Sequence, residues 1–138
     1  MDDKYVLLVE DNDDDVTLAE IAFKKARLSN RLVTVSDGRE ALDFLFCHGK
    51  YEDRTPFGNP SLILLDLKLP FVSGLVVLKE IRAHITTCQI PVLVLTSSIE
   101  EKDRTDSYSL GANDFIRKPT SYSSFIEIIE KIKTDWLT

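Results

Sequence analysis

Five side chains in this 138-residue chain are of the types that could handle a phosphoryl group, and each stands where a short apolar run ends. Glu10 and Asp11 follow Tyr5 to Val9, and Asp66 follows Leu62 to Leu65. Thr96, with Ser97 and Ser98, follows Val92 to Leu95, and Lys118, ahead of Pro119, follows the weaker run Phe115 and Ile116. Three crowded carboxylates repel and raise one another's pKa. A hard divalent cation with oxygen ligands relieves such a cluster, Mg2+ being the natural candidate. A carboxylate can also attack phosphorus to form an acyl phosphate, provided that metal, lysine and hydroxyl donors neutralise the transferring oxygens. Lys118 and Thr96 are donors of that kind. Taken singly, Asp66 reads as a strand-end acid capping the next turn; Glu10, Asp11, Thr96 and Lys118 at matching positions argue against that reading.

The neighbouring polar residues have plainer explanations. Asp13 to Asp15 are acids ahead of a helix, favoured by capping and by the helix dipole, and are left outside the site. A calcium loop starting at Asp11 fails, because Val16 occupies its sixth position, where Gly is needed, and Ala22 its twelfth, where Glu is needed. The chain contains no Gly-x-Gly-x-x-Gly, Walker loop, His-Glu-x-x-His or Gly-x-Ser-x-Gly. His48 and His84 are isolated and read as solvated, and Phe115 on pattern alone is a core aromatic.

The elements that must hold these residues follow from periodicity. The apolar runs are nearly continuous rather than alternating, as in a parallel sheet covered on both faces. Between them lie helical stripes: Val16, Ala19, Phe23 and Ala26; Ala41, Leu42 and Leu45 after Gly38; Leu75, Leu78, Ile81 or Arg82, and Ile85; and Phe125, Ile128, Ile129, Ile132 and Trp136 after a Ser121 cap. Strands alternating with helices predict a three-layer α/β sandwich of five parallel strands and five helices, with ligands outside the carboxyl ends of the strands. The segment Glu100 to Ser109 has almost no apolar face and is expected to pack loosely. His48 to Pro60, with Gly49, Pro56 and Gly58, is expected to be a long surface loop.

Composition bounds the rest. The length suits one domain over 1–138, with no output domain. A net charge of −6 opposes contact with a nucleic-acid backbone. The start Met1-Asp2-Asp3-Lys4 lacks signal-peptide character and no apolar run approaches membrane-spanning length, so a cytoplasmic protein is expected. Cys47 and Cys88 match no metal or redox spacing and read as reduced thiols.

The ordered motifs resemble the receiver domain of two-component response regulators over nearly the whole chain. They are Val6-Leu7-Leu8-Val9-Glu10-Asp11, Asp37-Gly38-Arg39-Glu40-Ala41-Leu42, Leu64-Leu65-Asp66-Leu67-Lys68-Leu69-Pro70 with Gly74, Pro91 to Thr96, Gly111-Ala112-Asn113-Asp114-Phe115, and Lys118-Pro119. The resemblance implies a flavodoxin-like fold with strand order 2-1-3-4-5 and Asp66 as phosphoacceptor. It implies Mg2+ held by Glu10, Asp11, Asp66 and the backbone carbonyl of Lys68, with a sensor histidine kinase as donor. Such a domain is no enzyme toward other molecules and catalyses only its own phosphorylation and dephosphorylation. Thr96 and Phe115 would form the switch, expressed on the face of the fourth helix, fifth strand and fifth helix. Lys68 and Ser98 would look toward the phosphoryl group, and Lys118–Pro119 would be cis. Ser73 stands where the family often has Asp, and Phe115 lacks the hydroxyl of the commoner Tyr. The loop at His48 to Pro60, the Thr96-Ser97-Ser98 run and the tail to Trp136 look like stand-alone regulators paired with phytochrome-type kinases, some of which dimerise through the signalling face. Output would then pass through a downstream protein target or a phosphotransfer protein. Among other readings, a haloacid-dehalogenase-type phosphatase wants a second Asp where Lys68 stands, and Glu10 and Asp11 would repel the phosphate of a flavin. A receiver-like scaffold that no longer uses phosphate would not need the intact set of five residues.

Overall fold

Each apolar run is a strand of one parallel sheet. β1 (Tyr5–Val9), β2 (Arg31–Val35), β3 (Leu62–Leu65), β4 (Val92–Thr96) and β5 (Asp114–Arg117) lie in the order β2-β1-β3-β4-β5. The computed structural model describes residues 5–54 and 58–137. Met1 to Lys4 and Pro56, which figure in the sequence reading, therefore lie outside the described residues. The register pairs Val9 with both Val35 and Leu65, and Leu65 with Val94, so the carboxyl ends of the strands finish level.

Five helices cover the two faces: α1 (Asp13–Lys25), α2 (Gly38–Leu45), α3 (Gly74–Ala83), α4 (Glu101–Ser109) and α5 (Tyr122–Trp136). Successive strand residues point to opposite faces, so each run feeds two cores. Leu7, Val9, Ile63, Leu65, Val92 and Val94 meet Ala41, Phe44 and Leu45 of α2 and Val77, Leu78 and Ile81 of α3. Val6, Leu8, Leu62, Leu64, Leu93 and Leu95 meet Ala19, Ala22 and Phe23 of α1 and Phe125, Ile129 and Ile132 of α5. Burial of each such aliphatic side chain contributes about 1.5–3 kcal/mol. All but α4 start on side-chain caps: Asn12 for α1, Asp37 for α2, Ser73 for α3 and Ser121 for α5.

Three expectations change. The α3 stripe stops at Ile81; His84 is extended and Ile85 is 92% exposed. Arg82 explains the stop, because its guanidinium donates to the carbonyls of Gly111, Cys88 and Ile90 and to Asn113 Oδ1, drawing the following turn across the start of β4. The loop after α2 is anchored rather than merely solvated. It carries a 3-10 turn at Gly49–Tyr51, and Arg54 donates to the carbonyls of Phe44, Leu45 and Gly58, closing the end of α2. The Lys118–Pro119 bond, expected cis, is trans: a prolyl amide separates the isomers by only about 0.5–1 kcal/mol, so local chemistry does not impose cis. His48 is exposed as expected, whereas exposed His84 also lies over the Phe46 ring, with centroids 4.3 Å apart.

Candidate functional site

The level strand ends gather the predicted residues. Asp66 continues β3, its N–H donating to Val9 O at 3.1 Å, and it is 6% exposed. Glu10 continues β1 through Val35 O and is 3% exposed, while Asp11 is open to solvent. Thr96, the last residue of β4, is fully buried; the N–H of Lys118 donates to its carbonyl at 2.7 Å, carrying β5 to the same edge. Gly74 is required by the close approach of α3: a Cβ there would lie 2.2 Å from Asp66 O and 2.6 Å from Leu67 Cα.

Lys118 sits at the centre with its side chain 10% exposed. Its ammonium lies 2.6 Å from Glu10 Oε1, 2.8 Å from Asp15 Oδ2 and 3.0 Å from Asp66 Oδ2. Burial disfavours the charged lysine, but the hydrogen bonds to Asp15, Glu10 and Asp66 outweigh it and raise its pKa. Glu10 moves up as well, to about 7: burial is the largest cause and the Asp66 charge adds to it, against the lowering effect of Lys118. Burial therefore acts in opposite directions on the apparent basicity of the two groups, and the crowded carboxylates add to the rise of both.

Among the described residues, Glu10, Asp11 and Asp66 each offer a carboxylate oxygen within 4.8 Å of the others. Oxygen-only donors with surplus negative charge fit a hard divalent cation. Lys68 is exposed and its N–H donates to Asp66 Oδ1 at 3.3 Å. Ser98 departs from expectation: it is buried, donates to Asp103 Oδ2 at 2.5 Å and accepts from the N–H of Glu100, so it organises the start of α4 instead of facing Asp66. The acids of α4's first turn draw its hydroxyl away.

Phe115 is half-buried on β5. Its N–H donates to the Tyr108 hydroxyl at 3.1 Å, and that hydroxyl lies 3.2 Å from Asp114 Oδ1. The Arg104 guanidinium lies 6.0 Å from the Phe115 ring centre and 5.5 Å from that of Tyr108. The polar helix is therefore fastened to β5 by Tyr108 and Arg104, although it buries only Ser107.

Sequence reasoning placed Asp15 among helix-capping acids, yet it belongs to the site. The cap is Asn12, whose Oδ1 accepts from the N–H groups of Asp14 and Asp15. A usable signal existed: side chains of a helix lean toward its N-terminus, so an acid in the first turn of α1 leans back over the strand ends.

A family model described as the response regulator receiver domain matches residues 6–130. The chain is 37% identical over 134 residues to response regulator Rcp1 of Synechocystis sp., covering 97% of this chain and 89% of that protein. The crystal structure of the phosphorylated cyanobacterial phytochrome response regulator RcpA superposes with a TM-score of 0.90 at 40% identity, covering 98% of this chain and 94% of that one. The Mn2+-bound form of Rcp1 superposes with a TM-score of 0.88 at 36% identity, over 97% and 94% of the two chains.

Proposed function

Because this chain belongs to the response regulator receiver family, we propose that it works in two-component signalling with Asp66 as the residue that accepts the phosphoryl group. One observation carries the assignment: Asp66 follows β3, the central strand, and there combines burial, a place in the three-carboxylate cluster and an ion pair with Lys118, features that Glu10 shares only at the end of the neighbouring β1. Glu10, Asp11 and Asp66, with the backbone carbonyl of Lys68, would hold the cation. Mg2+ is the ion proposed, since the donors are all hard oxygens. When bound, it supplies positive charge for the phosphoryl oxygens. The chain's own residues do the remainder: Asp66 is the nucleophile, Lys118 donates hydrogen bonds to the transferring group, and the Thr96 hydroxyl, at the end of the adjacent strand, would follow it. The same groups would later serve hydrolysis of the acyl phosphate.

Movement of Thr96 toward the phosphoryl group frees space for Phe115, and α4, β5 and α5 carry the change outward. The thin packing of α4 supports this, because an element with few buried contacts shifts at low cost. A sensor histidine kinase is the donor expected for the family, and likeness to RcpA supports a phytochrome-type kinase. The signal would pass in the cytoplasm to a protein target, to a phosphotransfer protein, or to a second copy through the α4-β5-α5 face.

Intact mass spectrometry with acetyl phosphate tests the acceptor. One phosphoryl adduct that requires Mg2+ and is absent from Asp66→Asn is expected. An adduct that persists in Asp66→Asn would move the acceptor elsewhere.

A further inference from the structure

An ammonium has three N–H donors, and in Lys118 the three nearest acceptors are Glu10, Asp15 and Asp66. The partners differ in what else is asked of them. Glu10 and Asp66 belong to the oxygen cluster suited to a cation, and Asp66 is also the proposed acceptor, so each has a competing use for its oxygens. Asp15 lies outside that cluster, its side chain is 27% exposed, and its own N–H is held by Asn12 in the first turn of α1.

We propose that Asp15 is a positioning residue for phosphoryl transfer, the fixed anchor that keeps Lys118 aimed at Asp66 while the other two carboxylates turn to the cation and the phosphoryl group. The proposal rests on the receiver reading above. In the step concerned, an Asp66 oxygen forms its bond to phosphorus as the bond from phosphorus to the donor's leaving oxygen breaks, the electron pair departing with the leaving group. With acetyl phosphate that group is acetate. Lys118 keeps its proton throughout and exchanges its hydrogen bond with Asp66 for one with a phosphoryl oxygen. Without Asp15, the four-carbon lysine stem is tethered only by groups that are themselves engaged, and the ammonium loses its aim.

A bulk electrostatic effect would have the opposite sign. Removing a negative charge eases the approach of an anionic phosphodonor, so a slower Asp15 variant identifies positioning rather than charge.

The test compares wild type, Asp15→Ala and Asp15→Asn in two measurements. The first is the rate of adduct formation from acetyl phosphate at saturating Mg2+, followed by intact mass spectrometry. The second is trace labelling of lysine amines in the metal-free proteins with acetic anhydride, read at Lys118 against the exposed Lys79 and Lys131. Asp15→Ala is expected to slow transfer by about tenfold or more and to label several-fold faster at Lys118, with Lys79, Lys131 and the melting temperature unchanged. Asp15→Asn, which keeps an acceptor oxygen, is expected to fall between. Wild type that takes a phosphoryl group while Asp15→Ala matches it in rate overturns the role of Asp15 alone. Wild type that takes none on Asp66 overturns the receiver reading, and Asp15's role with it.

Discussion

Glu40 joins three segments through one carboxylate. Its Oε1 accepts from the N–H and hydroxyl of Ser36, and its Oε2 from the Tyr51 hydroxyl, with Lys50 at 3.0 Å. Burial pushes the carboxyl up, but these partners outweigh it and bring the pKa down from 4.5 to about 2. A folded-state pKa below the unfolded one means that the unfolded chain binds more protons between the two values. The stability Glu40 contributes is therefore complete above pH 4.5 and lost as pH falls through about 2. Urea unfolding should show Glu40→Gln less stable than wild type at neutral pH, with the gap closing in that acid window. A gap equally wide at pH 2 would mean that packing, not charge, is what the glutamate provides. Gly74 makes a second residue-scale prediction. The missing Cβ space is bounded by the backbone of Asp66 and Leu67, which cannot swing aside as a side chain could. Gly74→Ala should slow adduct formation by about tenfold or more while Mg2+ is still bound.

At the scale of elements, the turn after α3 and the α4–β5 junction depend on single side chains. Arg82→Ala would leave the carbonyls of Gly111, Cys88 and Ile90 without that donor. An unmet acceptor costs roughly 1–3 kcal/mol when buried, and of the three only Ile90 belongs to a buried residue while water can reach the others, so a loss of about 2–4 kcal/mol by urea unfolding is expected. Tyr108 is the sharper probe of signalling. Tyr108→Phe keeps the ring near Arg104 and removes only the hydroxyl that meets the Phe115 N–H and Asp114. Its expected cost is about 1 kcal/mol, with faster hydrogen exchange through α4, while the Phe115 amide keeps its 2.8 Å bond to Asp114 Oδ1. Unchanged exchange there would show that α4 is held by other contacts. The helical period marked α4 as weakly packed; it could not show Tyr108 as its fastener, because a tyrosine among charged residues has no distinctive spacing.

At the scale of the whole molecule, the site concentrates negative charge at one edge of a sheet whose two cores are otherwise apolar. Glu10, Asp11, Asp15 and Asp66 gather there with one ammonium, which pairs with all but Asp11, so folding the cation-free chain brings like charges together. Mg2+ should raise the melting temperature, by an amount equivalent to about 2.7 kcal/mol at a hundredfold excess over Kd. Chelation should reverse the gain, and Asp66→Asn should reduce it. An unaltered melting temperature across a Mg2+ titration would count against these carboxylates as its ligands. The sequence by itself determined the strand ends, the sheet order implied by family motifs, and the level placement of Glu10, Asp11, Asp66, Thr96 and Lys118. Hydrophobic period and strand–helix alternation act over a few residues and are written along the chain. The tertiary structure alone decided that Asp15 holds Lys118 across 103 positions, that Ser98 turns to Asp103, that Arg82 ends α3 and that Lys118–Pro119 is trans. These depend on which side chains meet after the layers pack, and distance along the chain says nothing about that.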